Sequence, residues 1–218
     1  MYKLKKSLYG LKQVSKLWYY TFHNAVVIFG FKANEYDHWN SGSDLIILSL
    51  YVDDILIPGN QVESICEVKD FLKSQFEMKD LGEASYVLGI QIIRDRKSRI
   101  LQLSQEQYID KILKIFFMDS SNPIDTPIHK QTKLSKKMCP INDEEKRKME
   151  HRPYAQVVGS IMYAMLCTRT DLSFDVSLVN RFQSNLDKAH WAAIKRILRY
   201  IKGTKSHKMT YSYWIFRC

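Results

Sequence analysis

From Leu45 to Ile57 the chain is apolar apart from Ser49 and two adjacent acids, Asp53 and Asp54. A continuous strand or helix over this stretch would carry both carboxylates into the interior, where an unpaired charge is very costly. Folding back at the acids removes the conflict. Leu45 to Val52 and Ile55 to Ile57, rich in Ile, Leu and Val, then pair as strands, and Pro58-Gly59-Asn60 closes the segment. The pattern predicts a tight hairpin with both acids at its tip.

Two carboxylates side by side on such a turn repel each other unless a cation sits beside them. Magnesium suits the arrangement, because it takes oxygen ligands and is commonly held by one or two carboxylates plus substrate phosphates, as in phosphoryl and nucleotidyl transfer. An ordinary solvated turn, in which Asp is favoured for its local hydrogen bonds, stays open on the residues alone.

Elsewhere the periodicity predicts an α+β chain, with strands and helices first and helices afterwards. Val14, Leu17, Trp18, Phe22, Ala25, Val26 and Phe29 recur at helical spacing before Gly30, and residues 61–76 also read as helix. Tyr86 to Arg94 and Arg99 to Leu103 form a second hairpin, and Ser104 with Gln107 reads as a capping box opening a helix to about Phe117. Pro123 and Pro127 mark a polar, lysine-rich linker over 119–141. Beyond it Asn142 with Glu145 caps a short helix, Pro153 opens an apolar one to about Thr168, Asp171 and Asp187 cap two more, and Gly203 ends the last.

Composition narrows the function classes. With 45% hydrophobic and 26% charged residues the 218-residue chain can bury a core, in one domain or two small ones. No apolar run reaches the roughly 18 residues of a membrane span, and the lysine-bearing start lacks the apolar run of a secretory leader. The four cysteines match neither a zinc pair nor a disulfide framework, which points to a reducing, intracellular setting. Net charge is +10, and all of the excess lies after residue 120, with 18 basic against 8 acidic side chains. Near the start Lys3, Lys5, Lys6, Lys12 and Lys16 alternate with Tyr2, Tyr9, Trp18, Tyr19 and Tyr20. Cations with aromatics suit a polyphosphate partner, although lysines that merely solvate a surface give the same pattern.

Tyr51-Val52-Asp53-Asp54 between apolar strands resembles the active-site hairpin of reverse transcriptases, in the context of a copia-type retrotransposon polyprotein. The resemblance extends over KLKKSLYGLKQ (3–13) with Trp18-Tyr19, FLKSQFEMKDLGEASYVLGIQI (71–92), SQEQYIDKIL (104–113), PYAQVVGSIMYAMLCTRTDL (153–172), HWAAIKRILRYIKGT (190–204) and TYSYW (210–214). It implies a partial palm over 1–95, a thumb-like region over 96–118, and after the 119–141 linker a helical connection over 142–218 toward a ribonuclease H domain. It also implies RNA-directed DNA polymerase chemistry with Mg2+ or Mn2+, acting on an RNA template, a DNA primer and deoxynucleotides, in a cytoplasmic particle or the nucleus and without a membrane partner.

Carried over residue by residue, Asp53 is the metal ligand and Asp54 its partner, with Tyr51 and Val52 beside the primer end. Tyr9, Gly10 and Gln13 lie by the incoming nucleotide. Lys79 is a candidate proton donor to the leaving pyrophosphate, with an ordinary surface lysine as the alternative. Leu88 and Gly89 belong to the primer grip, and Lys111 and Lys114 on the thumb helix meet the duplex backbone.

The family also uses an aspartate on an earlier palm strand, and no residue here matches it. Asp37 and Asp44 lack the apolar strand context. Palm, integrase and ribonuclease H segments are likewise expected outside this sequence. Val14-Ser15-Lys16 stands where the family usually has Ala-Pro-Arg, and Thr170 where it usually has Pro. The expectation is therefore family membership without activity of this chain alone, the alternative being a nonenzymatic, basic nucleic-acid binder.

Overall fold

A computed structural model describes residues 12–32, 45–129, 132 and 134–212. The chain divides into two compact units, 1–83 and 84–218, and both mix helix with sheet.

The first described element of the first unit is helix α1 (Lys12–Phe29), which ends at Gly30 with φ 109°. Strands β1 (Ser49–Tyr51) and β2 (Asp54–Leu56) form the expected antiparallel hairpin, with Ser49 opposite Leu56 and Tyr51 opposite Asp54. Two further bonds carry the pairing outward, from Ile47 N–H to the Pro58 carbonyl at 2.9 Å and from Leu45 N–H to Asn60 Oδ1 at 2.9 Å. Helix α2 (Val62–Gln75) follows. Alternation along the first arm turns Ile46, Leu48 and Leu50 inward, where they meet Ile55 and Ile57 and pack against a core of Phe22, Val68 and Leu72. Aromatic rings fill the rest: Phe76 lies 5.9 Å from Phe22, and Phe71 lies 4.4 Å from Phe29.

The second unit holds a four-stranded antiparallel sheet in the order β3 (Tyr86–Val87), β4 (Ile90–Asp95), β5 (Ile100–Ser104) and β6 (Met209–Ser212). Its helices are α3 (Glu106–Ile115), α4 (Asp143–Glu150), α5 (Tyr154–Cys167), α6 (Ser173–Asn180) and α7 (Lys188–Gly203). Apolar faces of α3, α5, α6 and α7 meet in one core that includes Ile109, Leu113, Val157, Ile161, Val176, Ile194 and Ile197.

Several local readings meet their side chains. Asn142 Oδ1 accepts the N–H of Glu145 at 2.9 Å, and Asp187 with His190 forms a capping box on α7. Two differ. Ser104 is still paired with Gln91 at the end of β5, so it accepts from Glu106 N–H at 3.3 Å, earlier than a box with Gln107 would use. Asp171 caps no α-helix, because Arg169 engages both of its oxygens, Nε to Oδ1 at 3.0 Å and Nη2 to Oδ2 at 2.8 Å. Strand β6 is an addition: Met209 to Ser212 pair with Leu103 to Ile100, bringing the far end of the chain onto the second hairpin.

The 119–141 segment is polar and among its described residues carries only a short 3-10 turn, Lys136–Met138, yet it is tied down along α7. Arg199 donates to the Asn122 carbonyl at 2.6 Å, Lys202 to those of Asp119 and Ser121, each at 2.6 Å, and Arg196 to Thr126 Oγ1 at 2.8 Å. Gly203 serves this approach, since a Cβ there would stand 3.1 Å from Pro123 Cβ.

Candidate active-site hairpin

Because Tyr51 pairs with Asp54, the turn consists of Val52 and Asp53 alone. Val52 has φ 53°, and Asp53 is not among the residues with positive φ. Positive φ at the first turn position only is the II′ arrangement, which glycine ordinarily fills. A β-branched residue there carries a strain of about 1–2 kcal/mol. One hydrogen bond reaches this turn from a distant element: Trp18 Nε1–H donates to the Val52 carbonyl at 2.8 Å. The indole is itself held in the aromatic cluster, edge-on to Phe76 at 5.2 Å and tilted against Phe22 at 5.8 Å.

Tyr51, Val52, Asp53 and Asp54 are all exposed. Among the described residues, neither carboxylate takes part in an ion pair or a side-chain hydrogen bond. No group of three or more His, Cys, Asp or Glu side chains suited to a metal occurs among the described residues. Two free carboxylates fit one hard cation whose remaining positions are filled by phosphate oxygens and water.

Two other expected site residues of this unit fall on described residues away from the turn in sequence. Gln13 lies in the first turn of α1, while Tyr9, Gly10, Asp37 and Asp44 fall outside the described residues. Lys79 is exposed in the segment after α2. The neighbouring Asp80 is the anchored one, 3.2 Å from Lys69 and 3.8 Å from Lys73, and it accepts the Gly82 N–H at 2.9 Å. That backbone bond and the Lys69 ammonium hold its carboxyl below the usual range.

In the second unit Leu88 and Gly89 form the two-residue turn between β3 and β4, with φ 51° and 78°. Positive φ at both positions is the I′ turn, and glycine takes the second without strain. Here too an aromatic donor reaches the strained residue, for the Tyr163 hydroxyl donates to the Leu88 carbonyl. Lys111 and Lys114 sit one turn apart on the exposed face of α3, opposite Ile109, Ile112 and Leu113. The donor roles of Trp18 and Tyr163 do not show in the sequence, because their acceptors lie 34 and 75 residues away.

Comparison with known proteins decides the family. Residues 1–130 match the family described as reverse transcriptase (RNA-dependent DNA polymerase). The chain belongs to that reverse transcriptase family. It is 47% identical over 207 residues to a retrovirus-related Pol polyprotein from transposon TNT 1-94 of Nicotiana tabacum, covering 93% of this chain and 16% of that protein. Identity is 35% over 209 residues to the Pol polyprotein from transposon RE1 of Arabidopsis thaliana, covering 94% and 14%. A putative transposon Ty5-1 protein of Saccharomyces cerevisiae is 29% identical over 215 residues, covering 97% and 68%. This reverse transcriptase sequence thus spans about one-sixth of the length of the tobacco polyprotein. No solved structure matches it. Among the described residues, no helix is long and apolar enough to cross a membrane.

Proposed function

We propose that this chain supplies the catalytic hairpin, the primer grip and the thumb helix of a copia-type retrotransposon reverse transcriptase. The observation that carries the reading is the exposed II′ turn with Asp53 in it and Asp54 next to it, both carboxylates unpaired among the described residues. In this reading 1–95 is palm, 96–118 thumb and 142–218 the connection.

Asp53 and Asp54 would hold Mg2+ or Mn2+, which when bound neutralises phosphate charge during nucleotidyl transfer. Tyr51 and Val52, exposed beside the acids, line the primer end. Gln13 with Tyr9 and Gly10 shapes the nucleotide pocket, Lys79 protonates the leaving pyrophosphate, Leu88 and Gly89 hold the primer backbone, and Lys111 and Lys114 take duplex phosphates. RNA template, DNA primer and deoxynucleotides are the substrates. Two ions about 3.5–4 Å apart need more ligands than two neighbouring carboxylates provide, so a further carboxylate from an upstream palm strand completes the site and the chain alone is inactive.

A Mn2+ titration of the 15N-labelled chain tests the metal reading. Paramagnetic broadening centred on residues 51–54 is expected, and Asp53→Asn should abolish it. Uniform broadening, or broadening that survives the substitution, would overturn it.

A second reading, a nonenzymatic nucleic-acid binder, is favoured by the basic excess after residue 120 and the exposed Lys111–Lys114 pair. Several of those cations are already engaged within the fold. Lys205 pairs with Asp110 at 2.9 Å and Glu106 at 3.8 Å, while Arg196, Arg199 and Lys202 hold the 119–126 segment. Their charge still attracts phosphate at long range.

A further inference from the structure

We propose that Trp18 is a positioning residue for the carboxylates at the hairpin tip, acting through the hydrogen bond from its indole N–H to the carbonyl of Val52. The inference deepens the reading of the hairpin as the metal-binding turn and rests on it.

Val52 occupies a backbone region that favours glycine, at φ 53°. In a two-residue turn free in solvent the Val52–Asp53 peptide can rotate toward the I′ arrangement, which keeps φ of Val52 positive but moves the residue into the less strained αL region, and that rotation changes the direction in which Asp53 leaves the backbone. Nothing in the turn itself opposes the rotation, since Tyr51, Val52, Asp53 and Asp54 are all exposed. The Val52 carbonyl belongs to the peptide that would rotate, and Trp18 is what grips it, at 2.8 Å.

A brace works only if it is stiffer than what it holds. Trp18 is in the second turn of α1 and its ring is wedged between Phe22 of the same helix and Phe76 beyond α2, at 5.8 and 5.2 Å. Phe76 in turn touches Phe22 at 5.9 Å and its N–H bonds to the Leu72 carbonyl at 2.9 Å, so the indole is fixed to both helices of the unit. Trp18 needs two properties for this: a ring large enough to reach the core, and a donor at its far edge. Phenylalanine has only the first.

The test therefore separates the donor from the ring. In Trp18→Phe the ring still packs while the N–H is gone. Hydrogen exchange of the 49–56 segment should accelerate about fivefold, the equivalent of one net hydrogen bond, with α2 over 62–75 unchanged. Mn2+ affinity, followed by the paramagnetic resonance of the free ion, should fall severalfold. In a Val52→Gly background, where the turn carries no strain, the same substitution should change exchange by less than about twofold.

Unchanged exchange of 49–56 would overturn the proposal, as would equal acceleration of 49–56 and 62–75, which would make Trp18 a packing residue only. An equal effect in both backgrounds would overturn it as well. A third arm needs no variant. In the unmodified chain the Trp18 indole proton should exchange with water at least tenfold more slowly than a free indole, and rapid exchange refutes the brace. The exchange arms do not involve metal, so an absence of Mn2+ binding in the unmodified chain would sink the metal reading and leave the brace to be judged separately.

Discussion

Arg169 and Asp171 form an ion pair whose two ends are unequally buried, and the inequality sets which partner matters more. The Arg169 side chain is 2% exposed and that of Asp171 41%. Besides the two carboxylate bonds, Arg169 donates to the Thr204 carbonyl at 3.3 Å and Thr204 Oγ1 at 2.7 Å and lies over the Tyr200 ring at 5.5 Å. It thereby joins the end of α5 to the end of α7. Asp171→Ala strands a guanidinium in the interior. Breaking a buried pair costs about 3–5 kcal/mol, and the bonds to Thr204, together with solvent screening of the half-exposed carboxylate, place the expected cost near the low end, about 3 kcal/mol. Arg169→Met leaves a carboxylate that water can reach and that still accepts from the Tyr200 hydroxyl at 3.0 Å. Its cost should be about 1–2 kcal/mol, the worth of the hydrogen bonds to Thr204. Urea unfolding at neutral pH, followed by circular dichroism, measures both. Arg169→Met as damaging as Asp171→Ala, or more so, would mean that the unequal burial of the two partners does not set the cost. Burial raises the Asp171 carboxyl, but the bonds and charge of Arg169 and the Tyr200 hydroxyl more than offset it, so the net shift is downward. The pair's contribution is then present above the ordinary carboxyl value and lost as pH falls through the depressed one.

Asp175 has the opposite sign. Burial first, and then the Asp171 charge, push its carboxyl up, so its ionisation weakens the fold as pH rises through the raised value, and Asp175→Asn should stabilise the chain at pH 7 but not below about pH 4 in thermal melts. His190 is fully buried, its Nδ1 accepts from the Asp187 N–H at 3.0 Å, and burial lowers its pKa. Stability should accordingly fall as pH drops below about 6.5, and His190→Gln should flatten that slope. Tyr163→Phe removes the hydroxyl that holds the Leu88 carbonyl and should cost about 1 kcal/mol; a melt indistinguishable from the parent would show the bond to be inert. Replacing Lys111 and Lys114 by Ala should lower the salt dependence of binding to an RNA–DNA duplex by about one unit of log–log slope for each phosphate that a lysine no longer neutralises, with an unchanged slope counting against their role.

Some features were legible in the sequence because few structures satisfy them. A run of apolar residues interrupted by Asp53-Asp54 leaves a hairpin as the way to keep charge out of the core, and Asn142 three residues before Glu145 is a cap whose partners are local. The misread signals failed where a nearer or stronger partner intervened. Ser104 stays in the β5 ladder, and Asp171 has a guanidinium two residues away that outcompetes a helix N–H. The bonds from Trp18 to Val52 and from Tyr163 to Leu88 were hidden for another reason: only the folded chain brings donor and acceptor together. Strand β6 is four residues long with mixed burial, too short for alternation to announce it. Likewise the basic excess after residue 120 gives no sign in the sequence that Arg196, Arg199 and Lys202 grip the 119–126 backbone and its Thr126 hydroxyl.

Primer extension reads the catalytic role of the hairpin itself. The chain is assayed alone, and then joined to the stretch of the tobacco polyprotein that lies N-terminal to the matched region, on an RNA template with a DNA primer and Mg2+ or Mn2+. The chain alone should give no extension, the joined protein should extend the primer, and Asp53→Asn should abolish that extension. Template-dependent extension by the chain alone, or by a joined protein carrying Asp53→Asn, would contradict this reading.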